Sequence, residues 1–494
     1  VSITRNATKP FELHHLIGGR ELPAGGGESF ESIDPHDGSV VSKVPRGTKA
    51  DARLAVDAAR KAFDEGPWPT MSPTERRTLL YRLADLLERE VEPLSLIETR
   101  ETGRAIRHTR AYDIQRSAYN LRFFADYAVI AENEAFTSEG RQSFVLYPPA
   151  GVIVAISPWN LPLMLSTWKV APALAFGNAV ILKPAEQTPT TATRLGALAL
   201  EAGLPEGVLN VVHGYGPGEI GEGLTTDPRV DRITFTGSTV AGRAIMKAAA
   251  SNLTPVSFEL GGRSANIVFE DAEMERTLQG AIQSIFSNNG AMCLAGSRLI
   301  VQRSVLDEFT ERFVAAASAL RVGDPKDETT DLGPLIEPIH LEKVQSYVDL
   351  AKEEGGDLLA GGAAVADAGP SGMHYPATVF GSMNNEMRSV REEIFGPVQM
   401  IIPFEDEAEA LAIANDSPYG LAGMLWTSNV DRILALGKQW RAGTLWVNTF
   451  FDRDLREPFG GVGESGIGRE GGSFSREFFT EPQAVVIKHH ELLG

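Results

Sequence analysis

The sequence predicts an α/β protein with two parallel-sheet domains, and two series of alternating elements carry that expectation. In the first, the β-branched runs "GVIVAIS" (151–157), "AVILK" (179–183), "VLNVV" (208–212) and "RITF" (232–235) alternate with helix candidates at 161–175, 187–202, 217–225 and 240–250. Strands separated by helices pair in parallel through crossovers, which makes a doubly wound sheet. The second series opens near residue 260 with "SANIVF" and "RLIVQ". It continues through helices at 304–320 and 337–355 and ends with "PVQMIIPF", "AGMLW" and "GTLWVN". It predicts a second sheet.

The first 130 residues read as helices. In "TKADARLAVDAARKAF", Thr48 is placed as N-cap with Asp51 three residues on, and Ala55, Ala58, Ala59, Ala62 and Phe63 share a face. "SPTERRTLLYRLADLL" repeats the signal: Ser72 caps, Pro73 suits the first turn and Glu75 closes the box. Two pieces stand apart, "RQSFVLYPP" (141–149) and "AVVIKHH" (484–490), each a strand without an obvious local partner. Such edges invite pairing with another subunit.

A formal charge of −19 disfavours nucleic acid and anionic membrane surfaces as partners. The most apolar stretch, "GVIVAISPWNLPLML", is broken by two prolines, Trp159 and Asn160, so it does not read as a membrane span. The opening residues carry no apolar run of signal-peptide length, and a soluble cytoplasmic protein is expected. No CxxC or HExxH spacing occurs, and no metal site is expected.

Cys293 is the only cysteine in 494 residues and sits in "SNNGAMCLAGSR" among small residues. Most lone cysteines are small buried hydrophobes, so the thiol by itself assigns no chemistry. Three stretches bear on nucleotide binding. Gly216, Gly218 and Gly221 match GxGxxG, but the next strand ends without a carboxylate, and a loop leading into a helix fits equally. In "FTGSTVAGRAIMKAA", Gly237 and Ser238 turn a strand into a helix whose free N–H groups would face an anion. "LKPAEQTP" puts Lys183 and Glu186 just after a strand, at the end where open α/β sheets bind ligands. A carboxylate there accepts ribose hydroxyls and repels a 2′-phosphate.

Taken together, "SPWN" (157–160), "KPAEQTP" (183–189), "FTGST" (235–239), "FELGG" (258–262), "NNGAMCLAGSR" (288–298), "EEIFGPV" (392–398) and "PFGGVGESGIGRE" (458–470) resemble the aldehyde dehydrogenase superfamily in order and spacing. The likeness implies a Rossmann-type NAD-binding domain, an α/β catalytic domain and a β-flap for assembly into a homodimer or homotetramer. On that pattern residues 1–128 and 149–258 form the NAD-binding domain, 129–148 the oligomerisation strands, 259–463 the catalytic domain and 464–494 the tail with its oligomerisation strand. It implies Cys293 as nucleophile, Asn160 as oxyanion donor beside the Cys293 N–H, and Glu259 as general base. Ser157, Trp159, Lys183, Glu186, Trp168, Gly237, Ser238, Glu393 and Phe395 match cofactor positions, Trp168 and Ser238 near the pyrophosphate. Lys169 and Glu470 match a pair proposed as a proton route. Glu186 favours NAD over NADP. Many relatives carry Gln or Glu two residues before the nucleophile, where this chain has Ala291.

"NTFFDRDLREPFGG" (448–461) and "GREGGSFSREFFTEPQ" resemble the hydroxymuconic and aminomuconic semialdehyde dehydrogenases within that superfamily. The likeness places Arg116, Arg453 and Arg456 against a substrate carboxylate, a task for which the bidentate guanidinium is suited. Phe451 and Phe459 are substrate-side candidates. The expectation is oxidation of a carboxylate-bearing semialdehyde, the rivals being a general aldehyde dehydrogenase, a cofactor-free cysteine hydrolase with a nearby His, and a non-catalytic protein on the same fold.

Overall fold

Both series of elements fold as their alternation requires. The computed structural model describes residues 9–138 and 140–488. Val152–Ile156, Ala179–Lys183, Leu209–Val211, Arg232–Thr236 and Val256–Glu259 form the parallel core of an eight-stranded sheet. Val152–Ile156 lies between Ala179–Lys183 and Arg232–Thr236, so the chain winds outward in both directions from it. That reversal opens a crevice beyond the carboxyl ends of Val152–Ile156 and Arg232–Thr236. The five residues of Val152–Ile156 are all buried, as a strand covered on both faces must be. The helices Pro162–Ala175 and Thr190–Glu201 cover one face, while Lys49–Asp64 packs on the other with Ile220–Thr225.

The second sheet has seven strands. Their spatial order is Asp357–Ala360, Thr378–Gly381, Val398–Phe404, Arg298–Gln302, Ala265–Val268, Ala422–Trp426 and Thr444–Val447, parallel except for the first pair. Both N-terminal capping boxes form, Thr48 with Asp51 and Ser72 with Glu75.

Two expectations change. The opening of the chain is not helical: Phe11–Glu12, His15–Ile17, Arg20–Leu22, Ser29–Ile33 and Val40–Pro45 are strands. His15–Ile17 and Arg20–Leu22 make a hairpin across Gly18–Gly19, both at positive φ, and extend the large sheet. A two-residue glycine turn of this kind matches the twist of the strands it joins. Nor do the two isolated strands lack a partner. Arg141–Leu146 pairs with Gln483–Lys488 on one side and Glu134–Ser138 on the other. Residues 489 and 490, the end of the expected C-terminal strand, lie outside the described residues. Among those described, no helix is long and apolar enough to cross a membrane.

Candidate active site

The crevice is a cleft of about 780 Å³. Along it lie Ser157, Trp159, Asn160, Lys183, Glu186, Gly237, Ser238, Cys293, Glu393 and Phe395, all of them residues the sequence singled out. Lys183 ends its strand and its Nζ donates to Glu186 at 2.8 Å. Ser238 caps the helix Thr239–Ala250, accepting the Ala241 N–H at 3.2 Å. A side chain at Gly237 would meet the Phe235 ring at 2.4 Å, so the strand-to-helix turn stays bare. Gly216 and Gly221 of the GxGxxG stretch line the cleft as well.

At the inner end the chain must bring a thiol close to the strand that carries Glu259. The turn before Cys293 runs through Asn288 (φ 54°) and Asn289 (φ 55°), a left-handed conformation that asparagine tolerates better than most residues. Asn288 Nδ2 donates to the Asn160 carbonyl at 2.9 Å, and Asn160 Nδ2 donates to the Ala291 carbonyl at 2.8 Å. An amide nitrogen carries two hydrogens, so one remains for an oxyanion. A Cβ at Gly262 would lie 2.3 Å from the Cys293 carbonyl, which makes that glycine a condition of the close approach. Burial pushes the Cys293 thiol up to about 12, and the Glu259 and Glu393 carboxylates add to the rise against the N–H groups of Cys293 and Leu294.

Glu259 ends its strand buried, with neither carboxylate oxygen holding a hydrogen-bond partner among the described residues. Burial raises its pKa well above the ordinary value and Glu470 adds to this, while Lys169, Arg453 and Arg469 oppose it. The 458–470 segment wraps this group: Phe459 and Glu470 exchange backbone hydrogen bonds at 2.8 and 2.7 Å. A Cβ at Gly460, whose φ is 148°, would stand 2.7 Å from Glu259 Oε1. Lys169 Nζ, fully buried, donates to Glu470 Oε1 at 2.8 Å and to the Thr234 hydroxyl at 3.0 Å. Glu393 accepts the Gly262 N–H at 2.9 Å, and Phe395 takes a left-handed φ of 64° with its ring edge-on to Trp159.

Trp168 and Arg456 are among the expected site residues that do not line the cleft. Trp168 is absent from the cleft; its Nε1 donates to Glu470 Oε2 at 2.5 Å and its ring stacks under Arg453. Arg456 is exposed and engaged by Asp454, through both its N–H at 2.9 Å and its guanidinium at 2.5 Å. Arg453 is half-buried, with the end of its guanidinium shielded from solvent. Its guanidinium lies 4.8 Å from the Trp168 ring and 3.9 Å from the Phe459 ring, with Nη2 unpartnered among the described residues. Burial lowers its pKa to about 10, Arg116 adding to the fall and Glu259, Glu470 and Tyr112 opposing it. Arg116 bonds Asn120 Oδ1 and the Tyr112 hydroxyl, and Tyr112 packs on Phe451. Phe451, Phe459 and Cys293 belong to one apolar cluster.

The sequence missed His340 and Lys343, which face the cleft from the first turns of Pro338–Glu353. Their three-residue spacing on a helix start was the available signal. His340 Nε2 pairs with the Phe395 carbonyl at 2.9 Å and its ring packs against Trp159, and no imidazole hydrogen-bonds Cys293 among the described residues. A cysteine hydrolase would need that partner.

A lone thiol in the cleft at the strand ends of a doubly wound sheet, its loop bonded to Asn160 and its proton affinity raised by Glu259, is the arrangement of a nucleotide-dependent α/β enzyme. The chain belongs to the aldehyde dehydrogenase family, whose model matches residues 23–485, and it is an NAD(P)-dependent oxidoreductase of aldehydes. It is 43% identical to the 2-hydroxymuconic semialdehyde dehydrogenase of Pseudomonas sp. (strain CF600), over 97% of this chain and 99% of that one. The 2-aminomuconic semialdehyde dehydrogenase of Bos taurus is 42% identical over 97% of this chain and 98% of its own. Among solved structures, the indole-3-acetaldehyde dehydrogenase AldA of P. syringae, in complex with NAD+ and IAA, superposes with a TM-score of 0.95 at 38% identity over 97% of each chain.

Proposed function

We propose that this protein oxidises a semialdehyde bearing a remote carboxylate, of the muconic type, to the diacid with NAD+. The observation that carries the substrate class is Arg453: a half-buried arginine whose Nη2 is shielded from solvent and unpartnered among the described residues, clamped between two rings beside the cluster that holds Cys293. Arg116 supplies a second positive charge close enough to lower the Arg453 pKa. Buried cations are costly unless paired, and a substrate carboxylate is the partner this pocket lacks. The relatives named for muconic semialdehydes support the same class.

In this reading Cys293 first gives up its proton to water in the cleft, its sulfur attacks the aldehyde carbon, and the oxyanion formed takes the remaining Asn160 amide hydrogen and the Cys293 N–H. A bound dinucleotide would supply the acceptor for the hydride that leaves that carbon. The product is a thioester on Cys293. Glu259 then takes a proton from water, whose oxygen attacks the thioester carbon, releasing the acid and restoring the thiol. The buried Lys169–Glu470 pair lies close enough to Glu259 to affect its protonation and offers the proton a way out. Lys183, Glu186, Gly237 and Ser238 would hold the adenosine and pyrophosphate, and Glu393 with Phe395 the nicotinamide ribose. The cleft fits a dinucleotide: its volume, the bare Gly237 turn and the capped helix start each suit one part of it. Exposed Phe136, Val486 and Ile487 on the three-stranded sheet support assembly with further copies.

Two outcomes are expected. Arg453→Met, which keeps a long side chain between the rings, lowers kcat/KM for a semialdehyde acid by about 30-fold or more, the usual loss on truncating a buried charge pair. It leaves the corresponding methyl ester unchanged, and Arg456→Met changes neither. Equal losses for acid and ester would overturn the clamp. Glu186→Ser raises kcat/KM for NADP+ relative to NAD+, because the carboxylate no longer repels the 2′-phosphate; steady-state assays with both cofactors measure it.

A further inference from the structure

The helix Pro162–Ala175 begins without a cap of its own. Leu161 offers no acceptor, Pro162 has no N–H, and the N–H of fully buried Leu163 has no partner within the helix. Its acceptor comes from another helix. Glu98, on Val91–Thr102, is buried to 1% exposure, and its Oε1 takes the Leu163 N–H at 2.7 Å and the Thr191 hydroxyl at 3.0 Å. One turn on, Glu101 accepts the Thr190 N–H at 3.2 Å and the Thr190 hydroxyl at 2.5 Å. Two carboxylates on one helix thus hold the starts of the two helices that follow Val152–Ile156 and Ala179–Lys183.

The first of these starts is the turn that carries Asn160. From the far side this turn is tied to the cysteine loop through Asn288 and Ala291. From the near side it is tied to Glu98, three residues beyond Asn160. A fully buried side chain from another helix is an unusual cap where a local Ser or Asp would serve, so its use points to a demand on placement. Burial and the charges of Asp113 and Glu101 push the Glu98 pKa up to about 8, against the Leu163 N–H and Thr191 hydroxyl, so a glutamine matches its charge at neutral pH.

We propose that Glu98 is a positioning residue for the oxyanion donor: through Leu163 it fixes the turn that aims the Asn160 amide, touching neither substrate nor thiol. The proposal rests on Asn160 acting as that donor.

A double-mutant cycle in the full chain tests it, read as the rate of the first-turnover NADH burst, with cofactor Kd measured separately. Glu98→Ala is expected to slow the burst about tenfold or more at unchanged cofactor Kd, since small misplacements of a catalytic group are costly in rate. Glu98→Gln, which keeps the accepting oxygen, stays within about threefold of the parent chain. In an Asn160→Ala background Glu98→Ala adds less than about twofold, because the group it positions is gone. If Glu98→Ala does not fold, Glu98→Asp, one methylene shorter, takes its place in the cycle. Losses that multiply, or an unchanged burst in Glu98→Ala (or in Glu98→Asp where it takes that place), overturn the proposal. An unchanged burst in Asn160→Ala alone overturns the donor role itself, and the single variant separates that failure from the other.

Discussion

Cys293→Ala will show no aldehyde-dependent reduction of NAD(P)+ above background, a loss of about 10⁴-fold or more, as for other removed nucleophiles. The chain holds no second thiol to substitute for it. The change removes one sulfur atom from a partly buried loop, so the melting temperature should shift by no more than a few degrees. That separation of activity from stability would also dismiss a non-catalytic role for the fold. The environment of the thiol sets a second readout. Its pKa is pushed up to about 12 by burial and the Glu259 and Glu393 carboxylates. The thiolate fraction in the free protein therefore stays small through neutral pH and climbs about tenfold per pH unit below that value. Alkylation by iodoacetamide, followed as loss of activity, should be slow at pH 7 and should accelerate with that slope. A plateau near pH 8 would show that an ordinary thiol pKa governs the site.

Much of the fold was legible because its signals are local. Val152–Ile156 and its neighbours are β-branched and buried on both faces, and the capping boxes at Thr48 and Ser72 each close within three residues. The missed strands at the start of the chain are short, and two have a glycine pair as their whole signature. Glu259 became legible only through the family likeness, since its function depends on burial beneath the 458–470 segment, some 200 residues away in the chain. The side on which Trp168 points was not legible for a related reason. Pro162–Ala175 is buried almost all round, so its composition does not say which side faces the nucleotide. Arg453 and Arg456 lie in an irregular loop, where spacing does not fix direction. The aspartate two residues before Arg456 was the readable clue, because Asx-type bonding captures the following N–H and here the guanidinium too.

Glu259→Gln should separate the two halves of the reaction. Glutamine keeps the shape of the side chain but cannot take a proton from water. The first-turnover burst of NADH should persist, while steady-state turnover falls by about 10²- to 10⁴-fold, the usual range for a lost general base. The unusual feature of Glu259 is its isolation: both oxygens are buried and unpartnered, and its pKa is held well above the ordinary carboxylate value. A base works in its ionised form, so wild-type turnover limited by hydrolysis should rise with pH through that raised value, and the rise should vanish in the variant. The same shift predicts an effect on stability with a definite sign. A carboxyl whose pKa is raised on folding gives its full stability below its unfolded pKa and loses it as pH climbs through the folded one. Glu259→Gln removes this loss, so the variant should melt higher than the wild type at alkaline pH and the gap should close on acidification. Calorimetry across that range measures it. A variant that loses its burst along with turnover would place Glu259 before the thioester, as the group that deprotonates Cys293.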